Sequence, residues 1–108
     1  MNRAIILLTA LAVTASAAHA EEVSVDVAGI GSRPCSYWLS SRDRKLEGTV
    51  WIYGFWSGLN YVAASSQQDQ SKTNGVAIIA AVEAVCREKP SQILAEAAWT
   101  AYIGSNQK

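Results

Sequence analysis

Residues 51–62 read WIYGFWSGLNYV, from Trp51 to Val62, with the aromatic residues Trp51, Tyr53, Phe55, Trp56 and Tyr61 and no charge among them. The charge-free run extends from Gly48 to Gln68, so the stretch reads either as a membrane span or as a helix enclosed by protein. Gly54, Ser57, Gly58 and Asn60 dilute it. Its strongly apolar part, Val50 to Val62, falls far short of the roughly 20 residues a span requires. A helix apolar on nearly every side is one surrounded by protein. At helical spacing Trp51, Phe55, Leu59 and Val62 make one stripe, and Ile52, Trp56 and Ala63 make another. Gly54 and Gly58, one turn apart, leave a groove where a further helix can approach closely. The stretch is therefore expected to be a central helix from about Asp43 or Leu46 to Ala64, its partners drawn from this chain or from another.

Shorter helices flank it. Ser32 and Pro34 suit a helix start, and Cys35, Trp38 and Leu39 share one face of a first helix ending near Ser40–Ser41, before a polar break at SSRDRK. Beyond the central helix, SSQQDQSKT, Ser65 to Thr73, is a polar loop open to proteolysis. Thr73 or Asn74 then caps a third helix running to about Glu88. Ile78, Ile79, Val82, Val85 and Cys86 form its buried side, and Glu83, Arg87 and Glu88 point to water. Pro90 stops it, and Ser91 caps a fourth helix that ends at Gly104 as a C′ glycine. Leu94, Ala97, Ala98, Ala101 and Tyr102 face inward on that helix. The fold class is all-α, one small domain of about four helices over residues 34–104, followed by a frayed tail at 105–108.

The N-terminal end sets the compartment. Arg3, the apolar run Ala4 to Val13, and Ala18-His19-Ala20 follow the order of a secretory signal peptide over residues 1–20, with the periplasm as destination. Residues 21–33 form an arm in which Val23, Val25 and Val27 alternate with polar residues before Gly29 and Gly31; an edge strand, a swapped segment and disorder all stay open. Cys35 and Cys86 are the two cysteines, and an oxidising compartment favours pairing them. Two free thiols or an intermolecular bridge are the alternatives.

Charge and histidine content exclude whole classes of function. Arg3 leaves with the leader, so the exported chain carries one basic side chain fewer than acidic ones, which gives no footprint for nucleic acid or anionic lipid. The single histidine, His19, leaves too. Ser–His and Cys–His nucleophilic sites are then ruled out, Cys35 and Cys86 are far from C-x-x-C spacing, and no zinc ligand set or phosphate loop is present. Asp43 and Glu47, at i and i+4 among Arg42, Arg44 and Lys45, read as a solvated, salt-bridging helix start. The sequence reads as a non-enzyme without cofactor or metal. Four short helices cannot enclose all nine aromatic residues. Trp56, Tyr53, Tyr61 or Trp99 are expected partly exposed, as at an interface; Trp51, Phe55 and Leu59 complete the candidate interface or client-binding set.

Cys35-Ser-Tyr-Trp38-Leu39, then Gly54-Phe55-x-x-x-Leu59-Asn60, then an apolar helix ending in Cys86, then Lys89-Pro-Ser91 before a last helix reaching Trp99, recur here in order. With the leader, this pattern resembles the periplasmic acid-stress chaperones of the HdeA/HdeB family, over about Pro34 to Tyr102. The resemblance implies a helical domain pinned by Cys35–Cys86, a homodimer near neutral pH, and an ATP-independent holdase that grips unfolding periplasmic proteins in strong acid. Glu47, Asp69, Glu83, Glu88 and Glu96 are the candidate proton acceptors for such a switch. The chain departs from the family's lysine-rich flanks and carries more aromatic residues. A dedicated envelope binding protein of immunity or inhibitor type, using an exposed aromatic patch against one partner, is the competing reading.

Overall fold

In a computed structural model, which describes residues 24–106, the helical spacing becomes four α-helices: α1 (Cys35–Trp38), α2 (Arg42–Ser65), α3 (Gly75–Glu88) and α4 (Leu94–Ser105). A 3-10 turn over Gly29–Ser32 precedes them. Residues 1–20, expected to be a leader, the arm residues Glu21 to Val23 and the last two tail residues lie outside the described residues. No strand occurs among the described residues, and Val25 and Val27 belong to an irregular extended segment, 24–28. The fold is all-α, with the Cys35–Cys86 disulfide closing a sequence separation of 51 residues at a Cα–Cα distance of 5.5 Å.

Local chemistry sets the helix ends, in places differently from the sequence expectation. The Ser41 hydroxyl accepts from the Arg44 amide at 3.2 Å, so α2 starts at Arg42 and absorbs most of the SSRDRK stretch. Asn74 caps α3, its side-chain oxygen accepting from the Ala77 amide at 2.9 Å. Ser91 does not cap α4. Backbone bonds anchor that end instead: the Leu94 amide donates to Arg33 O at 2.9 Å and the Cys35 amide to Gln92 O at 2.8 Å, around an isolated antiparallel bridge between Pro34 and Ile93. Gly104 lies inside α4, which ends one residue later at Ser105.

The core forms where α2 crosses the α3–α4 hairpin. Ile52 and Trp56 enter from α2, Val82 and Cys86 from α3, and Leu94, Ala97, Ala98 and Tyr102 from α4. Alanines on α4 bring its backbone close to α3. Trp38 is fully buried, and its indole N–H donates to the Lys45 carbonyl at 3.0 Å. Gly48 makes room for that ring, since a Cβ there would overlap the indole. A polar knot closes the opposite end. Asn60 donates to the Ser71 carbonyl at 3.0 Å and accepts from the Ser71 amide at 2.9 Å and the Tyr102 hydroxyl at 2.8 Å. Ser105 donates to the Ser71 hydroxyl at 2.8 Å. The loop expected to be open to proteolysis is thus pinned at its buried centre, Ser71.

Three expectations change. Trp56 is 2% exposed, packed edge-on against Tyr102 with ring centroids 5.0 Å apart, so it is a core residue. Its spacing shared with Ile52 and Ala63 outweighs the argument from aromatic surplus. Glu83 does not point freely to water: it pairs with Lys45 of α2 and, at 3.3 Å, with Arg87. And α2 is not enclosed on every side, because a face running from Leu46 through Val50 to Tyr61 is open.

The buried Trp56 indole N–H has no hydrogen-bond partner, which sets up a prediction. Trp56→Phe removes an unsatisfied buried donor along with some apolar surface and shifts stability by less than about 1 kcal/mol. Trp38→Phe breaks a satisfied bond at a fully buried site and costs about 2 kcal/mol. Urea titration of the two variants side by side measures the difference.

Candidate functional site

The extended segment 24–28 does not hang free. It is tied to α2 by Trp51, whose indole N–H donates to the Ala28 carbonyl at 2.9 Å and whose ring lies over Gly31, where a Cβ would overlap it. Ile30, next to that seat, is buried. Trp51 in turn stacks on Phe55 with centroids 5.0 Å apart and planes inclined by 15°. The arm is therefore laid along α2 as a strap.

Between the strap and the start of α4 runs a groove of about 500 Å³. Val25 and Val27 form its strap wall, and Phe55 and Leu59 of α2 its floor. Ile93, Ala95 and Trp99 form the far wall, with Glu96 the one charged residue of the lining. Trp99 is 47% exposed and stacks on Tyr102 at 6.3 Å, so one face of its indole is presented to whatever enters. The volume falls within the range of small-molecule and peptide-side-chain sites. The lining gives dispersion and apolar burial with one carboxylate to orient a ligand; nothing in it is nucleophilic.

Of the aromatic set expected at an interface, Phe55, Leu59 and Trp99 meet in this groove. Trp51 supports it from behind. Tyr53 and Tyr61 lie on the open face of α2: Tyr61 is 76% exposed, and the Tyr53 hydroxyl end packs against Gly75. Val25, Val27 and Ile93 escaped the sequence reading. The alternation of valines in the arm was their only signal, and it says nothing of where an arm docks.

The candidate proton acceptors do not converge. Glu47 lines a separate polar recess of about 380 Å³ with Arg33 and Tyr37, where the Arg33 and Arg44 guanidinium groups lie 4.6 and 4.1 Å from the Tyr37 ring centroid. Asp69 is exposed in the loop after α2, Glu88 is exposed at the end of α3, and Glu96 is exposed at the groove rim. Only Glu83 joins two helices through charge, α3 to α2.

Among the described residues no group of three or more His, Cys, Asp or Glu side chains could hold a metal ion, and no helix is long and apolar enough to cross a membrane. Compared with known proteins, the chain matches no family model, no curated sequence and no solved structure.

Proposed function

We propose that this protein is a periplasmic HdeA-like holdase, a binding protein that grips apolar segments of unfolding proteins in acid without ATP. The observation that carries this reading is the strapped groove, apolar on three sides, presenting Trp99 and Leu59 with a single carboxylate at its rim. In strong acid carboxylates as a class lose their charge, so the exported chain becomes strongly cationic and self-repulsion loosens it while the disulfide holds. The competing reading, an envelope protein with one dedicated partner, is favoured by the groove's being open in the folded domain.

Light scattering of an aggregating periplasmic extract, at about pH 2.5 and at neutral pH, tests the proposal. The protein is expected to suppress scattering only in acid. Leu59→Ala and Trp99→Ala each remove a side chain worth about 1.5 kcal/mol of burial and raise the amount needed by roughly tenfold. Absence of protection in acid would end the holdase reading, and one tight partner recovered at neutral pH would establish the other.

A further inference from the structure

The polar recess beside α1 takes no part in the groove. Its volume of about 380 Å³ lies within the range of small-molecule sites, and Ser32, Arg33, Tyr37 and Glu47 line it. Among the described residues the ion pairs are Lys45–Glu83 and Arg87–Glu83. Arg33 and Glu47 therefore face one recess with opposite charges and do not pair with each other. A lone exposed charge needs no explanation, because water satisfies it. Here, however, the guanidinium groups of Arg33 and Arg44 lie 4.6 and 4.1 Å from the centroid of the same Tyr37 ring. Two like charges are thus gathered on one side chain, and among the described residues no carboxylate pairs with either.

We propose that this recess binds an α-amino-acid head group, an ammonium and a carboxylate on one carbon. Its lining supplies partners for both charges. Arg33 provides the donors: stacking on Tyr37 fixes the plane of its guanidinium and leaves the N–H edge free, the form that takes a carboxylate through two parallel bonds. Arg44 stands on the same ring, donates to the Ser40 hydroxyl at 3.0 Å, and adds a second positive charge nearby. Glu47 provides the acceptor for the ammonium. Ser32 joins it, since its hydroxyl proton goes to Gly29 O at 2.8 Å and only lone pairs are left to offer. A simple anion would meet the charge of Glu47, and a simple cation would meet that of Arg33. A ligand with both charges on neighbouring atoms answers both.

The walls are set before anything enters. The Arg33 amide donates to Ile30 O at 3.0 Å, and Arg33 O accepts from the Leu94 amide at 2.9 Å. Ile30 is buried, and Trp51 lies over Gly31. Glu47 is carried by α2, next to the Gly48 on which the buried Trp38 packs. A site preformed in this way loses little to ordering when a ligand binds. The recess shares no lining residue with the groove, so its ligand is independent of the holdase reading.

Amide chemical shifts of the isotope-labelled protein, titrated at neutral pH with alanine, N-acetylalanine and alaninamide, test the assignment. Alanine is expected to give saturable shifts at Arg33, Tyr37 and Glu47 with a Kd on the order of 1 mM. Each blocked form lacks one charge of the pair and should bind at least roughly tenfold more weakly. Arg33→Gln and Glu47→Gln should each weaken alanine by a similar factor, and Glu47→Gln should also abolish the preference for alanine over N-acetylalanine. Both positions are exposed, so the melting temperature should stay that of the parent. γ-Glutamylalanine carries the head group at the end of a longer molecule and separates the two sources. Binding as strong as that of alanine assigns the recess to a head group borne on a larger ligand, and binding roughly tenfold weaker assigns it to a free amino acid. Shifts that do not saturate, blocked forms that bind as well as alanine, or folded variants that bind like the parent overturn the proposal.

Discussion

Serine at both Cys35 and Cys86 lowers the unfolding free energy by about 4 kcal/mol, the unfolded-state entropy removed by closing a loop of 51 residues. Domains of this size have total stabilities at the low end of about 5–15 kcal/mol, so the loss consumes most of the margin. The noncovalent ties of α1, the Cys35 amide to Gln92 O and the Ser36 amide to Pro90 O, are too few to substitute for the bond. α1 is four residues long and cannot persist alone. Both sulfur-bearing residues are fully buried, in the middle of the contact between α1, α3 and α4. Without the bond, Trp38, which α1 carries into the core, is held less firmly. Urea denaturation followed by tryptophan fluorescence is expected to show a midpoint shifted down by more than half. A midpoint unchanged in the double-serine variant would show that noncovalent packing alone holds α1.

Asn60→Ala is expected to cost about 3 kcal/mol, the second-largest single effect. It removes three hydrogen bonds at once and leaves the Ser71 amide and carbonyl and the Tyr102 hydroxyl without their side-chain partner in a region where Ser71 and Tyr102 are each 5% exposed. Asn60→Asp separates the contributions. A carboxylate keeps both acceptor bonds but sets an oxygen against the Ser71 carbonyl where the amide donated at 3.0 Å, so at neutral pH it should cost at least as much as Asn60→Ala. Because Asn60 pins the middle of the loop between α2 and α3, limited proteolysis should cut Asn60→Ala there at a rate well above the parent. Equal rates would mean that the loop is held elsewhere.

Helix content and the disulfide were legible because both are written locally or by elimination. Apolar spacing marked α2, α3 and α4, the Asn74 cap lies one residue before α3, and two cysteines allow one intramolecular pairing. What could not be read is tertiary. Glu83 sits on the side of α3 that spacing assigns to water, and only the approach of Lys45 from another helix gives it a partner. Gly31 gives no sign in the sequence of being the seat on which Trp51 clamps the arm. Counting aromatic residues predicted a surplus at the surface, correctly for Tyr61 and Trp99, but could not tell that Trp56 belongs to the core. The groove combines residues from three separated segments, and the valine alternation of its strap wall does not say where the arm docks.

The direct test of the central claim is a map of amide chemical shifts for the isotope-labelled protein as an extended, aliphatic-rich peptide is added, in acid and at neutral pH. The account predicts perturbations in acid centred on Val25, Val27, Phe55, Leu59, Ile93 and Trp99, with Val50 and Gly58 unaffected by the peptide. Perturbations spread evenly over the chain, or confined to the open face of α2, would contradict it.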